Sequence, residues 1–200
     1  MNTPTRNAYK VFRSHGGVMR THEALAAGVH RRTLYAMRDT GELDKLTRGV
    51  YRLTQLPPLG NPDLITIAKR IPAGVVCLIS ALSFHELTTQ IPHRIDLALP
   101  RTARHPQVAY PPLHIYRFSK DAFKAGIQEQ RIDGVTIRVF NPEKTLADCF
   151  KYRNKIGLEV ALEALRAYRR RHGARFNAIL EYARTCRIEK VIRPYLEASI

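Results

Sequence analysis

The fold of the amino-terminal part of this chain is decided by residues 16–53, which read GGVMRTHEALAAGVHRRTLYAMRDTGELDKLTRGVYRL. Gly28 lies between two segments with helical spacing, about Thr21 to Ala27 and His30 to Asp39. A glycine in the left-handed conformation permits a sharp turn at the end of a helix. The pattern therefore predicts two short helices joined by a tight turn, with Thr21 as the N-cap of the first.

The second of these helices has two unlike faces. At about 100° per residue, its charged and aromatic side chains fall within one arc: Arg31, Arg32, Tyr35, Arg38 and Asp39. The other side carries Val29, Leu34, Ala36 and Met37. One face is thus expected to pack on its own domain, while the arginine face is left for another molecule.

A basic β-hairpin is predicted directly after this helix. Leu43 to Leu46 and Val50 to Leu53 have the composition of short strands, and Arg48-Gly49 is a turn signal between them. Lys45, Arg48 and Arg52 give the hairpin a positive charge. Together with the two helices, this hairpin predicts a winged helix-turn-helix, in which the hairpin is the wing.

A proline-rich segment marks the predicted domain boundary. Residues 55–62 read QLPPLGNP, and their three prolines cannot continue a helix or a central strand. The prediction is a winged helix-turn-helix domain at residues 1–55, a linker at 56–62 and a second domain at 63–200.

The second domain is predicted to mix helices and strands. The predicted strands are Val75 to Leu78, Ile95 to Leu99, Leu113 to Phe118 and Val135 to Phe140. The predicted helices are Thr5 to Ser14 before the winged region, and then Asp63 to Arg70, Ser80 to Leu87, one beginning at Asn141-Pro142, and a tail at Gly157 to His172, Arg175 to Thr185 and Ile188 to Ala198. The fold class is therefore α+β, with an N-terminal winged helix-turn-helix domain, a mixed α/β domain and a C-terminal helical tail.

The charge of the chain favours a polyanionic partner. Its 33 lysines and arginines exceed its 17 aspartates and glutamates, which gives a formal net charge of +16. With the predicted helix and wing, this excess of positive charge indicates double-stranded DNA as the partner.

Arg31 and Arg32 lie at the N-terminal end of the second helix and are expected to reach base edges, since arginine pairs with guanine. The other predicted DNA-binding residues are Thr21, His30, Thr33, Tyr35 and Arg38, with Lys45, Arg48 and Arg52 of the wing on phosphates.

A second basic surface is predicted near the end of the chain. It consists of Arg166, Arg169, Arg170, Arg171 and Arg175. A solvated helix end explains such a cluster, because the helix dipole favours cations there. The alternative is a second surface for nucleic acid, or for an acidic or nucleotide-bearing partner.

Cofactor, metal and membrane motifs are not found in the sequence. Cys77, Cys149 and Cys186 are odd in number and lack C-x-x-C spacing, so neither a disulfide framework nor a zinc site is indicated. The chain has no secretory signal, no membrane-spanning run and no glycine-rich phosphate loop. We expect a cytoplasmic protein with no cofactor, no bound metal and no membrane contact.

Two catalytic patterns are incomplete. His85-Glu86 begins a zinc-protease motif, but Thr89 stands where the second histidine belongs. A hydrolase triad has the residue types it needs but no G-x-S-x-G elbow, and the capping of a helix explains Ser80. The triad residues would be Ser80, Ser83, His85 and Asp96.

A metal nuclease is a third catalytic possibility. Asp96, Glu143 and Lys144 are the residue types that gather a metal ion and a water molecule. Glu143, however, is favoured at the first turn of a helix in any case, and Lys144 with Asp148 predicts a surface ion pair. We therefore predict that the protein is not an enzyme.

Several segments resemble one known family. The stretch from Gly16 to Tyr35 and the GELDKLTRGVYR of the wing resemble the N-terminal winged domain of AbiEi-family antitoxins. ISALSFHEL at 79–87, DLALP at 96–100 and VFNPEKTLADCF at 139–150 resemble the C-terminal domain of that family. The resemblance implies a bacterial transcriptional autorepressor and antitoxin of a type IV toxin-antitoxin system, which acts in abortive infection as a phage defence. It further implies binding to operator repeats and neutralisation of a nucleotidyltransferase-like toxin, with or without direct contact.

Two alternatives stay open at this point. One is a stand-alone winged-helix regulator without a toxin partner, and the other is a DNA-targeted, metal-dependent nuclease. A nucleotidyltransferase gene beside this one would favour the antitoxin, and an isolated gene would favour the regulator.

Overall fold

The computed structural model describes residues 3–173 and 175–198. The chain divides into two compact units, one formed by the residues up to Pro72 with Gln130–Ile137, and the other by Ala73–Glu129 with the residues from Arg138 onward. Helices and strands occur in both, so the predicted mixture of α and β structure is confirmed. Within the described ranges, no helix has the length and apolar character needed to cross a membrane.

The first unit contains a small antiparallel sheet with helices. Its elements are α1 (Thr3–Ser14), β1 (Val18–Arg20), α2 (Thr21–Ala26), α3 (Arg31–Asp39), β2 (Leu43–Thr47), β3 (Val50–Leu53) and α4 (Pro62–Arg70). The strand order is β1-β3-β2, and both pairs are antiparallel. The predicted helices and hairpin agree with these bounds within a few residues, and the region is compatible with a winged helix-turn-helix.

The core of the first unit is built from α1, α3 and the sheet. Phe12, Leu34 and Leu53 are completely buried in it. Gly16 approaches Gly134 so closely that a β-carbon on Gly16 would lie 2.7 Å from the carbonyl oxygen of Gly134. Both residues therefore have to be glycine for segment 130–137 to pack here. Helix α4 contacts all three strands, and the functional division at residues 56–62 stays a prediction.

The remaining elements include a five-stranded sheet. They are β4 (Val75–Val76), α5 (Leu78–Phe84), β5 (Ile95–Pro100), β6 (Leu113–Phe118), α6 (Lys120–Lys124), β7 (Ile127–Ile132), β8 (Val135–Phe140), α7 (Pro142–Lys151), α8 (Arg153–Ile156), α9 (Leu158–His172), α10 (Phe176–Thr185) and α11 (Glu189–Glu197). The strand order is β6-β5-β4-β8-β7. Strand β4 is antiparallel to β5 and parallel to β8, and β5 is parallel to β6.

Two details of this region correct the sequence prediction. The predicted strand at 75–78 ends at Val76, because Cys77 is the N-cap of α5 and the helix begins at Leu78. Ser80 therefore lies inside the helix, so its predicted role as a cap is wrong. Its hydroxyl instead donates to the carbonyl of Arg94, 3.3 Å away, and accepts from the backbone N–H of Asp96 at 2.9 Å.

Helix α7 is the central helix of the second unit and carries a buried ion pair. Lys144 Nζ lies 2.5 Å from Asp148 Oδ2, and both side chains are completely buried. The predicted surface pair is therefore wrong. The rings of Phe118 and Phe140 cover the ammonium group, with centroids 4.9 and 4.2 Å away. Burial raises the pKa of Asp148, and the neighbouring Lys144 opposes this rise.

Candidate nucleic-acid interface

Helix α3 begins with a side-chain cap supplied by His30. Its Nδ1 accepts a hydrogen bond from the backbone N–H of Arg32 at 3.2 Å. Gly28, with a φ of +87°, makes the preceding turn, and Val29 is buried. These contacts fix the start of α3 and leave the side chain of Arg32 out of the cap.

The two faces of α3 are as the periodicity predicts, with one exception. Leu34 and Met37 are buried in the core, and Arg31 and Arg32 are exposed. Neither arginine has a salt-bridge partner within the described part of the chain. The prediction that Ala36 lies on the buried side is wrong: it is exposed, because it falls at the edge of the apolar stripe.

The exposed face continues along the helix from these arginines. Tyr35 is 36% exposed, Thr33 is half-buried and Arg38 is exposed. The guanidinium of Arg38 lies 2.6 Å from Asp39 and 5.1 Å from the centre of the Tyr35 ring. Its hydrogen bond to Asp39 raises the pKa of Arg38 further. The face therefore has two uncommitted arginines at its beginning and a paired one at its end.

Helix α2 is capped differently from the prediction. Arg20 is the N-cap and its backbone N–H donates to Glu23 Oε2 at 2.8 Å, which makes Glu23 the N3 residue. Lys69 Nζ lies 3.2 Å from the same oxygen. Thr21 is thus the first helical residue and not the N-cap. Its N–H donates to the carbonyl of Gly49, 2.9 Å away, which joins α2 to the wing turn.

The wing presents two exposed cations. Lys45 and Arg48 are exposed, on β2 and at the turn. Gly49 makes that turn with a φ of +76°, and Arg70 donates to the carbonyl of Arg48 at 3.0 Å. The turn is therefore held in place while the Arg48 side chain stays in solvent.

Arg52 differs from the other predicted wing residues. It lies on the central strand β3 and is only 7% exposed. Its guanidinium donates to the carbonyls of Leu56 and Pro57 and lies 3.9 Å from Asp44. Because its Nη2 donates to both carbonyls and its side chain is buried, Arg52 anchors the proline-rich segment and is not one of the exposed cations of the wing.

The second predicted basic surface lies on α9 and at the start of α10. Arg166, Arg169, Arg170, Arg171 and Arg175 are all exposed. Arg171 is paired with Glu86 at 2.6 Å. Arg166, Arg169 and Arg170 border a pocket of about 550 Å³ whose lining includes Leu162, Leu165 and Tyr195. The cluster is therefore a cationic rim around an apolar groove.

In the incomplete catalytic patterns, Ser80 accepts from the backbone N–H of Asp96, and the other side chains below are bonded to groups outside their pattern. His85 Nε2 lies 2.7 Å from the carbonyl of Phe140. Glu143 Oε1 accepts from the hydroxyl of Tyr168 at 2.6 Å, and Lys144 is buried against Asp148. Asp96 is buried too, and its Oδ2 accepts from the N–H of Ile79 at 3.2 Å.

The sequence does not predict one polar pocket that the structure contains in the second unit. Arg94, Asp96 and Lys155 line it. Arg94 and Asp96 are two positions apart, but Lys155 comes from a much later segment of the chain, and no motif joins it to them. The separate signals in the sequence are a carboxylate inside an apolar strand, at Asp96, and cations beside prolines and aromatic residues.

Comparisons with known proteins support part of the resemblance. The model of the family described as "Transcriptional regulator, AbiEi antitoxin" matches residues 8–54. A search of the curated proteins finds no match. Among solved structures, the crystal structure of the RV2827C protein from Mycobacterium tuberculosis is similar to this chain, with 16% identity and a TM-score of 0.51, over 98% of this chain and 82% of that one. At this identity the likeness concerns the fold alone. The AbiEi resemblance is confirmed for residues 8–54.

Proposed function

We propose that this protein is a DNA-binding transcriptional repressor that reads an operator with α3 and grips the adjacent phosphates with the β2–β3 wing. The observation that carries the proposal is the pair of exposed, unpaired arginines at the beginning of α3, in the region matched by the regulator family. A recognition helix contacts base edges with its N-terminal residues. His30 fixes that end of the helix, so the arginines are held where a groove would receive them.

The expected target is double-stranded operator DNA with inverted repeats. Repressors of this type bind as dimers to half-sites about one helical turn apart. We place the protein in the bacterial cytoplasm, on the promoter of its own gene. Footprinting of that promoter with the purified chain tests this directly: two protected half-sites support autorepression, and no protection at the promoter contradicts it.

The wing should contribute affinity without sequence preference. We expect Lys45→Ala with Arg48→Ala to reduce the slope of log K against log salt concentration by about two, because each lost phosphate contact removes about one unit. Fluorescence anisotropy across a salt series measures this slope. The ratio of affinities for operator and scrambled duplex should stay the same. An unchanged slope would mean that these two cations do not reach phosphates.

We further propose that residues 63–200 neutralise a nucleotidyltransferase-like toxin. This step rests on the resemblance of the 79–87 and 139–150 segments to the antitoxin domain of the same family. The basic rim around the α9 groove is a candidate surface for it, because a cationic edge with an apolar floor suits an acidic or nucleotide-bearing partner.

Repression and antitoxicity should separate in the full-length chain. We expect Arg31→Ala with Arg32→Ala to restore the growth of toxin-expressing cells as well as the wild-type chain does, because the proposed antitoxic region does not include α3. Colony counts at matched expression levels measure this. If the wild-type chain itself fails to rescue, the stand-alone regulator becomes the better reading. The contacts of Asp96, Glu143 and Lys144 argue against a nuclease, because each is bonded to a different group.

A further inference from the structure

The polar pocket in the second unit has the size of a ligand site. Its volume is about 480 Å³, which lies within the usual range for small-molecule sites. It is lined by α5, by residues 90–96, by residues at and just before β6, and by α8. Four separate parts of the chain thus converge on one concavity.

One part of the pocket wall is a fixed, buried carboxyl group. Asp96 is 4% exposed, and its Oδ2 accepts from the N–H of Ile79 at 3.2 Å. Its Oδ1 lies 3.7 Å from Nδ1 of His114, which is beyond hydrogen-bond distance. That imidazole nitrogen is buried and has no hydrogen-bond partner among the described residues. The protein therefore holds Asp96 through Oδ2, while its Oδ1 makes no hydrogen bond to His114.

The pKa values of Asp96 and His114 favour an uncharged hydrogen-bond donor of a ligand beside Asp96. Burial raises the pKa of Asp96 to about 6. Burial, with Arg94 and Lys155, lowers the pKa of His114. The imidazole of His114 is therefore uncharged at neutral pH, so Asp96 and His114 do not form an ion pair. A donor N–H of a ligand in the pocket would be accepted by the carboxyl group of Asp96.

The rest of the pocket lining combines apolar and polar side chains with two cations. Ile79, Pro112 and Ile156 supply apolar surface. Arg94 and Lys155 are exposed and line the same pocket. A flat, hydrogen-bonding ring with an attached anion matches this combination, because the ring meets the apolar walls and the carboxyl group while the anion meets the cations.

We propose that this pocket binds a nucleoside monophosphate, with the base at Asp96 and the phosphate at Arg94 and Lys155. The exocyclic amine and ring N–H groups of a base are donors for a carboxylate. Arginine and lysine are the ordinary phosphate ligands of proteins. The inference concerns the second unit alone and does not depend on DNA binding or on a toxin.

The test is isothermal titration of the full-length chain with AMP, GMP, CMP and UMP, and with inorganic phosphate. At least one nucleotide should bind with a dissociation constant below about 1 mM, and about tenfold more tightly than phosphate. Lys155→Gln should weaken that nucleotide about tenfold, since it removes a charge-assisted contact. Asp96→Asn should weaken the nucleotide and leave phosphate unchanged, and its amide oxygen still accepts from Ile79.

Lys190→Gln is the matched control, because Lys190 is an exposed lysine of α11 that does not line the pocket. It should bind the nucleotide like the wild-type chain. Each of three results overturns the proposal: none of the four nucleotides binds, phosphate binds as tightly as every nucleotide, or both pocket variants bind as the wild type does. Thermal melting of each variant shows whether a loss of binding is a loss of fold.

Discussion

Arg31→Ala combined with Arg32→Ala is expected to abolish sequence-specific operator binding. Both side chains are exposed at the start of α3, where a recognition helix meets base edges. A bidentate arginine contact to guanine contributes about 1–3 kcal/mol of discrimination, so the loss of two should weaken operator binding by at least about 30-fold. Competition gel shifts at fixed salt, with operator and scrambled duplexes, measure the effect.

The control for this pair removes the same charge elsewhere. Lys120→Ala with Lys124→Ala deletes two exposed lysines of α6, and should lower affinity for operator and scrambled DNA only slightly. Neither arginine side chain takes part in the α3 cap, which uses the backbone N–H of Arg32, so the double variant should melt like the wild type. Retained preference for the operator in a folded Arg31/Arg32 variant would remove α3 from the reading role.

Local pattern was sufficient to predict the α3 face and the wing. Leu34 and Met37 recur at helical spacing, and their burial follows from that spacing alone. The hairpin follows from a turn signal between two short β-prone runs, and its strands are β2 and β3. Arg31 and Arg32 are exposed for the same reason, since the helix has only one apolar stripe.

Tertiary contacts decided what local pattern could not. Arg52 is a charged residue in a hairpin, and only the carbonyls of Leu56 and Pro57 reveal that it is held inside. Strand β7 reads IQEQRI and is mostly exposed, so it lacks the alternation of apolar and polar residues that predicts a strand. Its pairing beside β8 depends on the sheet as a whole.

The pocket lined by Asp96 and Lys155 shows the same limit. The sequence offers Asp96 only as a member of incomplete catalytic patterns, and Lys155 only as a surface cation. Their convergence depends on where α5, β5, β6 and α8 are placed, and no spacing within the sequence encodes that. The one signal in the sequence is that Asp96 is the polar residue of the otherwise apolar strand IDLALP at 95–100.

Lys144→Met should destabilise the protein more than any substitution of an exposed charge. The change leaves Asp148 buried without its partner, apart from the thiol of Cys186, which donates to Oδ1 at 3.4 Å. Breaking a buried ion pair costs about 3–5 kcal/mol. Urea unfolding followed by circular dichroism measures the free energy of unfolding. The control is Lys190→Met on the exposed side of α11, with an expected change within about 0.5 kcal/mol.

Two further measurements distinguish the ion pair from simple packing. Lys144→Met with Asp148→Leu should recover most of the lost stability, because a buried pair replaced by apolar residues is often neutral or stabilising. In the single variant, burial keeps the pKa of Asp148 above its unfolded value. The folded state then binds more protons than the unfolded state, so its stability should rise as the pH falls from about 7 toward about 4. A loss that is independent of pH and persists in the double variant would assign the role of Lys144 to the packing of its aliphatic stem between Phe118 and Phe140.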